Sequence, residues 1–136
     1  SGGVVILAIK EGKILTVNQF RYPIKTTSIE LPAGKLEIGE DPDFASKREL
    51  EEETGYTAKN WKSLGYIYTS VGFCNEKLYL YLATDLEYKQ VNPDEDEIIE
   101  PKEYPIKEVF EMIDNGKIND AKTLCALLRA REYIND

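Results

Sequence analysis

The distribution of apolar residues along the chain predicts several β-strands. An apolar run from Val4 to Lys10 is followed by a Glu11-Gly12 turn and by a second extended run from Lys13 to Phe20, a pattern typical of a β-hairpin. Leucine and tyrosine alternate from Lys77 to Thr84, which predicts a strand with one leucine face and one tyrosine face. Shorter extended segments are expected at 28–33, 57–62, 64–68 and 98–104.

Three helices are predicted from capping residues and apolar spacing. The first runs from Pro42, which suits a first helical turn, to about Thr54, with Gly55 as its C-terminal stop. The others are expected at 105–114 and from Ala121 to about residue 133. The last helix should bury one row of leucines: Leu124, Leu127 and Leu128. Strands and helices mixed in this order indicate an α+β or α/β sandwich.

Composition narrows the class of protein. The chain has 136 residues, enough for one domain with a core, and a net charge of −8, which argues against binding to a nucleic-acid backbone. It has no histidine, which excludes Ser-His and Cys-His catalysis. Cys74 and Cys125 lie far apart, so structural thiols in a reducing compartment are expected. Neither a membrane-length apolar run nor a signal peptide is present, and the cytoplasm is the expected location.

Three glutamates of the first predicted helix fall on one face. Glu49, Glu52 and Glu53 are three and four residues apart. Two bare carboxylates roughly 4 Å apart repel by about 4 kcal/mol at an effective dielectric near 20, whereas a hard cation such as Mg²⁺ turns that repulsion into attraction. The alternative is a solvated acidic helix, but the helix has only Phe44 and Leu50 as large apolar residues. The sequence therefore predicts a metal cluster that faces a phosphate ester.

The spacing in this region resembles the Nudix hydrolase signature, GX5EX7REUXEEXGU, in which U is aliphatic. The matching residues are Gly34, Glu40, Arg48, Glu49, Leu50, Glu52, Glu53 and Gly55, whereas Tyr56 stands where an aliphatic residue is usual. The resemblance implies an α/β/α sandwich around a mixed sheet, with the signature as a loop–helix–loop, and residues 1–136 as a single Nudix domain.

Other segments resemble those of bacterial ADP-ribose pyrophosphatases. These are QFRYP at 19–23, ELPAGKLE at 30–37, YTSVGFCNE at 68–76, DEDEIIE at 94–100 and DAKT at 120–123. Val71 stands where that group usually has proline. The resemblance implies metal-dependent hydrolysis of ADP-ribose to AMP and ribose 5-phosphate. A pyrophosphatase for a nucleoside triphosphate or another nucleoside diphosphate sugar, and a non-catalytic nucleotide sensor, remain as alternatives.

The resemblance also implies roles for residues of the signature. The Ala33 carbonyl, Glu49 and Glu53 are expected to bind Mg²⁺, with Mn²⁺ as the alternative, and Glu52 completes the cluster. Arg48 is spaced to pair with Glu52 and hold it in place. The remaining signature positions support the backbone: Gly34, Glu40 and Gly55. Glu40 either ties down the loop or reaches the metal through water.

Residues outside the signature are expected to complete the reaction. The acidic segment 94–97 should supply the general base, with Glu95 preferred as the base and Glu97 as a metal ligand, although the reverse assignment stays open. By resemblance, Arg21 contacts phosphate and Glu76 lies near the ribose and the metals.

An N-terminal segment is expected before Ser1. The enzymes that the chain resembles carry a strand-rich segment ahead of the domain and dimerise through it, and this chain begins directly on its first apolar strand. We therefore expect the complete protein to be a homodimer.

Overall fold

A mixed β-sheet with helices on both faces forms the protein, for which a computed structural model describes residues 2–89 and 101–134. The strands in these ranges are β1 (Gly2–Lys10), β2 (Lys13–Arg21), β3 (Thr26–Glu30), β4 (Ala33–Lys35), β5 (Tyr56–Tyr68), β6 (Lys77–Tyr88) and β7 (Lys102–Pro105). The helices are α1 (Pro42–Thr54), α2 (Ile106–Asp114) and α3 (Ala121–Ala130). A short 3₁₀ turn, Tyr22–Ile24, follows β2.

Strand β1 lies at the centre of the sheet. The strand order is β3-β2-β1-β6-β5, with β4 paired to β1 and β7 paired to β2. β1 runs parallel to β6 and antiparallel to β2 and β4. Its residues from Val4 to Ala8 are fully buried, because both faces of the sheet are covered. This explains why β1 is a continuous apolar run rather than an alternating one.

Two apolar cores lie on opposite faces of the sheet. On one face, Ala45 and Leu50 of α1 pack with a cluster that includes Val4 and Tyr81. On the other face, α2 and α3 cover a cluster that includes Leu80. The alternating residues of β6 are divided between these cores, and the predicted α/β/α sandwich is confirmed. None of the helices in the described ranges combines the length and apolarity needed to span a bilayer.

Several predicted boundaries differ from the structure. The single strand expected at 28–33 is two strands, β3 and β4, separated by Leu31 and by Pro32, which has no N–H to donate to a ladder. The two segments expected at 57–62 and 64–68 are one strand, β5, whose register shifts near Gly65 at a φ of 83°. Of the strand expected at 98–104, residues 98–100 lie outside the described residues, and β7 extends from Lys102 to Pro105.

The buried face of α3 also differs from the prediction. α3 ends at Ala130 rather than near residue 133, and it buries Thr123, Ala126, Leu127 and Ala130. Leu128 is 59% exposed, so its expected burial is wrong. One residue beyond Leu127, it is rotated about 100° away from the packed row. Cys74 is likewise exposed and forms no part of either core.

Candidate metal and catalytic site

Local sequence fixes where α1 begins and ends. The Asp41 side chain caps the helix by accepting the Phe44 N–H at 3.2 Å, and Pro42 occupies the first turn. Gly55 stops it at a φ of 80°, where its N–H reaches the Glu51 carbonyl. The bounds of α1 match the predicted helix, so all four acidic and basic residues at 48, 49, 52 and 53 lie on its last two turns.

Arg48 is the centre of the charged cluster. Its Nε and Nη2 donate to the two Glu40 carboxylate oxygens at 2.8 and 2.9 Å. Its Nη1 donates to Glu49 at 2.9 Å and to Glu52 at 3.1 Å. Spacing predicted the bond to Glu52, and the fold adds those to Glu40 and Glu49. Hydrogen bonding to Glu40 raises the pKa of Arg48, and the Arg48 bond lowers the pKa of Glu40.

Glu40 ties the loop to the helix. Its side chain is only 8% exposed, and besides the guanidinium it accepts the Glu37 N–H at 3.0 Å. Glu40 was expected either to hold the loop or to reach the metal through water, and these contacts correspond to the first role. It fixes the loop before α1 to the same arginine that orients Glu49 and Glu52.

Gly34 leaves space for the Glu49 carboxylate. A Cβ added at Gly34 would overlap the Glu49 carboxylate. The helix carboxylate therefore lies directly against the backbone of β4. Burial raises the pKa of Glu49, although Arg48 works in the opposite direction.

Glu53 is the most unusual carboxylate of the cluster. One of its oxygens accepts the Ala33 N–H at 3.3 Å, and the other, Oε2, is buried with no hydrogen-bond partner in the described part of the chain. Burial raises the pKa of Glu53 to about 7, with a further contribution from the charge of Glu49, and the Ala33 bond only partly offsets this. A buried carboxylate with an unpaired oxygen is costly when charged, so this position favours either a proton or a cation on Glu53.

These residues suit a hard cation. Within residues 2–89 and 101–134, no three acidic, cysteine or histidine side chains already surround a single point. Nevertheless, two carboxylates lie against the backbone of β4: Glu53 accepts the Ala33 N–H, and Glu49 packs on Gly34. Carboxylate oxygens, of which Glu53 Oε2 is unpaired in the described part of the chain, are the donors that Mg²⁺ and Mn²⁺ prefer.

Arg21 is paired with Glu30 at the end of β3. Its Nε and Nη2 donate to Glu30 at 2.8 and 2.6 Å. Burial alone would raise the pKa of Glu30, but the bonds from Arg21 and Lys122 outweigh it and lower the pKa to about 2. Sequence reasoning assigned no role to Glu30 or Lys122. No spacing rule could pair them, because 92 residues separate the two.

The other expected site residues are less closely joined to the cluster. Glu76 accepts from the Thr69 hydroxyl at 2.9 Å and so closes the loop between β5 and β6. Glu95 and Glu97 lie outside the described residues. The structure thus brings together Ala33, Gly34, Glu40, Arg48, Glu49, Glu52 and Glu53, with Gly55 at the end of the helix.

Replacing Arg48 with alanine should loosen the whole cluster. The largely buried Glu40 would lose two of its hydrogen bonds, and three carboxylates would repel one another without a cation. We expect the melting temperature of the metal-free protein to fall by roughly 5 °C. Lys47→Ala, an exposed neighbour on α1, is the matched control for thermal denaturation. Equal melting temperatures for the two variants would contradict the central role of Arg48.

The sandwich and its loop–helix carboxylate cluster define a Nudix-type protein. The sequence matches the NUDIX domain family over residues 2–127, and the chain belongs to that family.

Curated relatives include enzymes for nucleotide substrates. The chain is 43% identical over 129 residues to an ADP-ribose pyrophosphatase of Bacillus subtilis and 42% identical to a methanol dehydrogenase activator of Bacillus methanolicus, in each case over 93% of this chain and 70% of the relative. It is 33% identical to a GDP-mannose pyrophosphatase of Yersinia enterocolitica, over 96% of this chain and 73% of the relative.

Solved structures agree on the fold. An ADP compounds hydrolase superposes with a TM-score of 0.85 at 22% identity, over 97% of this chain and 71% of that one. A NUDIX hydrolase from Nitrosomonas europaea gives 0.70 at 18% identity, over 98% and 90% of the two chains.

Proposed function

We propose that the protein hydrolyses ADP-ribose to AMP and ribose 5-phosphate with the help of Mg²⁺. The observation that carries this proposal is a pair of carboxylates against β4: Glu53 accepts the Ala33 N–H, and Glu49, which Arg48 holds, packs on Gly34. The Bacillus subtilis relative supports ADP-ribose as the substrate. In addition, every glutamate of the signature is present, which favours catalysis over nucleotide sensing.

The metal would be held by oxygen atoms from α1 and the strand beside it. We assign to it the Ala33 carbonyl, Glu49, Glu52 and Glu53, with Glu97 from the acidic segment. When bound, a divalent cation neutralises phosphate oxygens and lowers the pKa of water. Mn²⁺ has the same preference for oxygen and is the alternative ion.

The chain's own residues prepare the site for that chemistry. Arg48 fixes the directions of Glu49 and Glu52, so that little reorganisation is needed when a cation binds. Arg48 is therefore a positioning residue. We assign Glu95 to remove the proton from the attacking water and Glu97 to the metal, by their place in the sequence.

Arg21 is assigned to bind the diphosphate group of the substrate. Glu30 holds its guanidinium by Nε and Nη2, and 44% of the side chain remains exposed, which leaves donors on the solvent side. A guanidinium fixed in this way suits a phosphate oxygen. Glu76, which is fixed by Thr69, is assigned to the ribose side of the substrate.

A second candidate substrate is another nucleoside diphosphate sugar. Val71, at the position where proline is usual in the ADP-ribose group, is 84% exposed, and the Yersinia relative is named for GDP-mannose. A nucleoside triphosphate shares the same reacting bond.

A substrate panel of ADP-ribose, GDP-mannose and a deoxynucleoside triphosphate, in Mg²⁺ or Mn²⁺, should show the fastest turnover for ADP-ribose, measured as release of AMP. Faster release of GMP from GDP-mannose would move the assignment to that substrate, and no turnover at all would favour a sensor.

We also propose that the protein acts as a cytoplasmic homodimer. Three apolar side chains at alternate positions, at the end of β2 and in the 3₁₀ turn that follows, are each at least 60% exposed: Phe20, Tyr22 and Ile24. An exposed apolar group of this kind would suit an interface. Both cysteines are free thiols, which suits a reducing compartment. Light scattering on this chain at micromolar concentration should give twice the mass of a single chain. A chain that stays monomeric at that concentration would contradict the dimer.

A further inference from the structure

The first turn of α3 is bound to the strand segment that leads into the metal cluster. Thr123 is 1% exposed, and its hydroxyl oxygen accepts the Leu31 N–H at 3.1 Å. The same hydroxyl donates to Asp120, the N-cap of α3, at 2.6 Å. A residue near the end of the chain thus holds the backbone of the β3–β4 connection.

Lys122 makes a second bond to the same connection. Its ammonium donates to Glu30 at 3.0 Å and to both oxygens of Asp120 at 3.0 and 3.1 Å. Glu30 is 2% exposed and is the last residue of β3. Residues 30 and 31 are therefore fixed side by side, one through its side chain and one through its N–H.

The other end of this short segment carries the metal cluster. Pro32 accepts the Ile6 N–H at 2.9 Å, Ala33 donates its N–H to Glu53, and Gly34 packs on the Glu49 carboxylate. Only one residue separates Leu31, held by α3, from Ala33, held by α1. A displacement of the backbone at Leu31 would also displace Ala33 by nearly the same amount, because the closely packed interior leaves so short a segment no space to deform.

We infer that Thr123 and Lys122 are positioning residues for the metal site, acting through residues 30–33 on Ala33 and Glu53. This inference rests on the proposed function, since it assumes that a cation binds there. It gives a role to the Asp120–Thr123 stretch, which lies outside the signature and, within the described part of the chain, forms no hydrogen bond with the residues assigned to the cation. Outer partners of this kind typically change metal affinity by about ten- to a hundredfold.

The test is Mn²⁺ binding to the full chain in the absence of substrate, followed by electron paramagnetic resonance. Thr123→Val keeps the shape of the side chain but removes the oxygen that accepts the Leu31 N–H, and we expect its Mn²⁺ dissociation constant to rise about tenfold. Thr123→Ser keeps that oxygen and should stay within about twofold of the wild type. A role in folding alone would lower the melting temperature of Thr123→Val without changing Mn²⁺ affinity.

Thr16→Val is the matched control. Thr16 is 2% exposed and donates to the Lys102 carbonyl at 3.0 Å, so its replacement also removes one buried hydrogen bond, but none to residues 30–33. Its Mn²⁺ affinity should be unchanged. If Thr123→Val does not fold, Lys122→Met decides the question. It breaks the bonds to Glu30 and Asp120 and also removes a positive charge that acts on Glu53. Because the loss of that charge alone would strengthen Mn²⁺ binding, the expected weakening of at least threefold would report lost positioning.

The outcomes separate the inference from the function on which it rests. Wild-type affinity in Thr123→Val, or in Lys122→Met where the first variant does not fold, would overturn the positioning role and leave the proposed hydrolase intact. A wild-type chain that binds no Mn²⁺ would overturn both.

Discussion

Glu53→Gln is expected to abolish hydrolysis and, at the same time, to stabilise the metal-free protein. The first effect follows from the loss of a charged ligand beside Ala33 and Glu49. The second follows from burial, because the charged Glu53 carboxylate has one oxygen with no hydrogen-bond partner in the described part of the chain. In the absence of a cation, this charge therefore lowers the stability of the folded protein once the pH is high enough to ionise Glu53.

The sign of the pH dependence follows from the raised pKa. The Glu53 pKa is about 7 in the folded chain, against an ordinary value of 4.5. Between these values the folded state holds the proton more tightly than the unfolded state, so stability is full below pH 4.5 and falls as the pH rises towards 7. Relative to Glu53→Gln, the wild type should be less stable by about 3 kcal/mol at pH 8 and by under about 1 kcal/mol at pH 5.

Thermal denaturation with chelator at pH 8 and pH 5 measures this difference. The melting temperature of Glu53→Gln should exceed that of the wild type by roughly 6 °C at pH 8, and the gap should close at pH 5. Glu51→Gln, an exposed neighbour that makes the same change of charge, is the control and should show neither effect. Near-wild-type turnover of Glu53→Gln in saturating Mg²⁺ would rule out the metal assignment.

Replacing the general base should slow hydrolysis by about 100- to 10,000-fold. We expect this for Glu95→Gln, with Mn²⁺ affinity unchanged, because a base acts on water and not on the cation. Glu97→Gln should instead require more metal and recover part of its rate as Mn²⁺ is raised. Three of the described signature carboxylates are poor candidates for the base, because Glu40, Glu49 and Glu52 are all bonded to Arg48.

Kinetics against metal concentration distinguishes the two residues. If Glu97→Gln shows the metal-independent loss and Glu95→Gln the metal-dependent one, the two roles are reversed. Less than a tenfold effect in both variants would show that the acidic segment does not supply the base. Glu100→Gln, in the same segment but outside the 94–97 run, is the matched control.

The sequence by itself determined the features that depend on near neighbours. The bounds of α1 follow from Asp41, Pro42 and Gly55, each of which acts within one helical turn. The bond between Arg48 and Glu52 follows from helical spacing. The alternation in β6 predicted one leucine face and one tyrosine face, and the structure packs these faces in separate cores. The signature identified the family.

Only the tertiary structure decided the contacts between distant segments. The contact between the Gly34 backbone and the Glu49 carboxylate arises because α1 packs against β4. The raised pKa of Glu53 requires burial, which no residue spacing encodes. Glu30 and Lys122 pair because β3 and α3 meet on folding, although 92 residues separate them in the sequence. Local rules act over a turn or a strand pair, whereas burial and long-range ion pairs exist only once the sandwich has closed around its sheet.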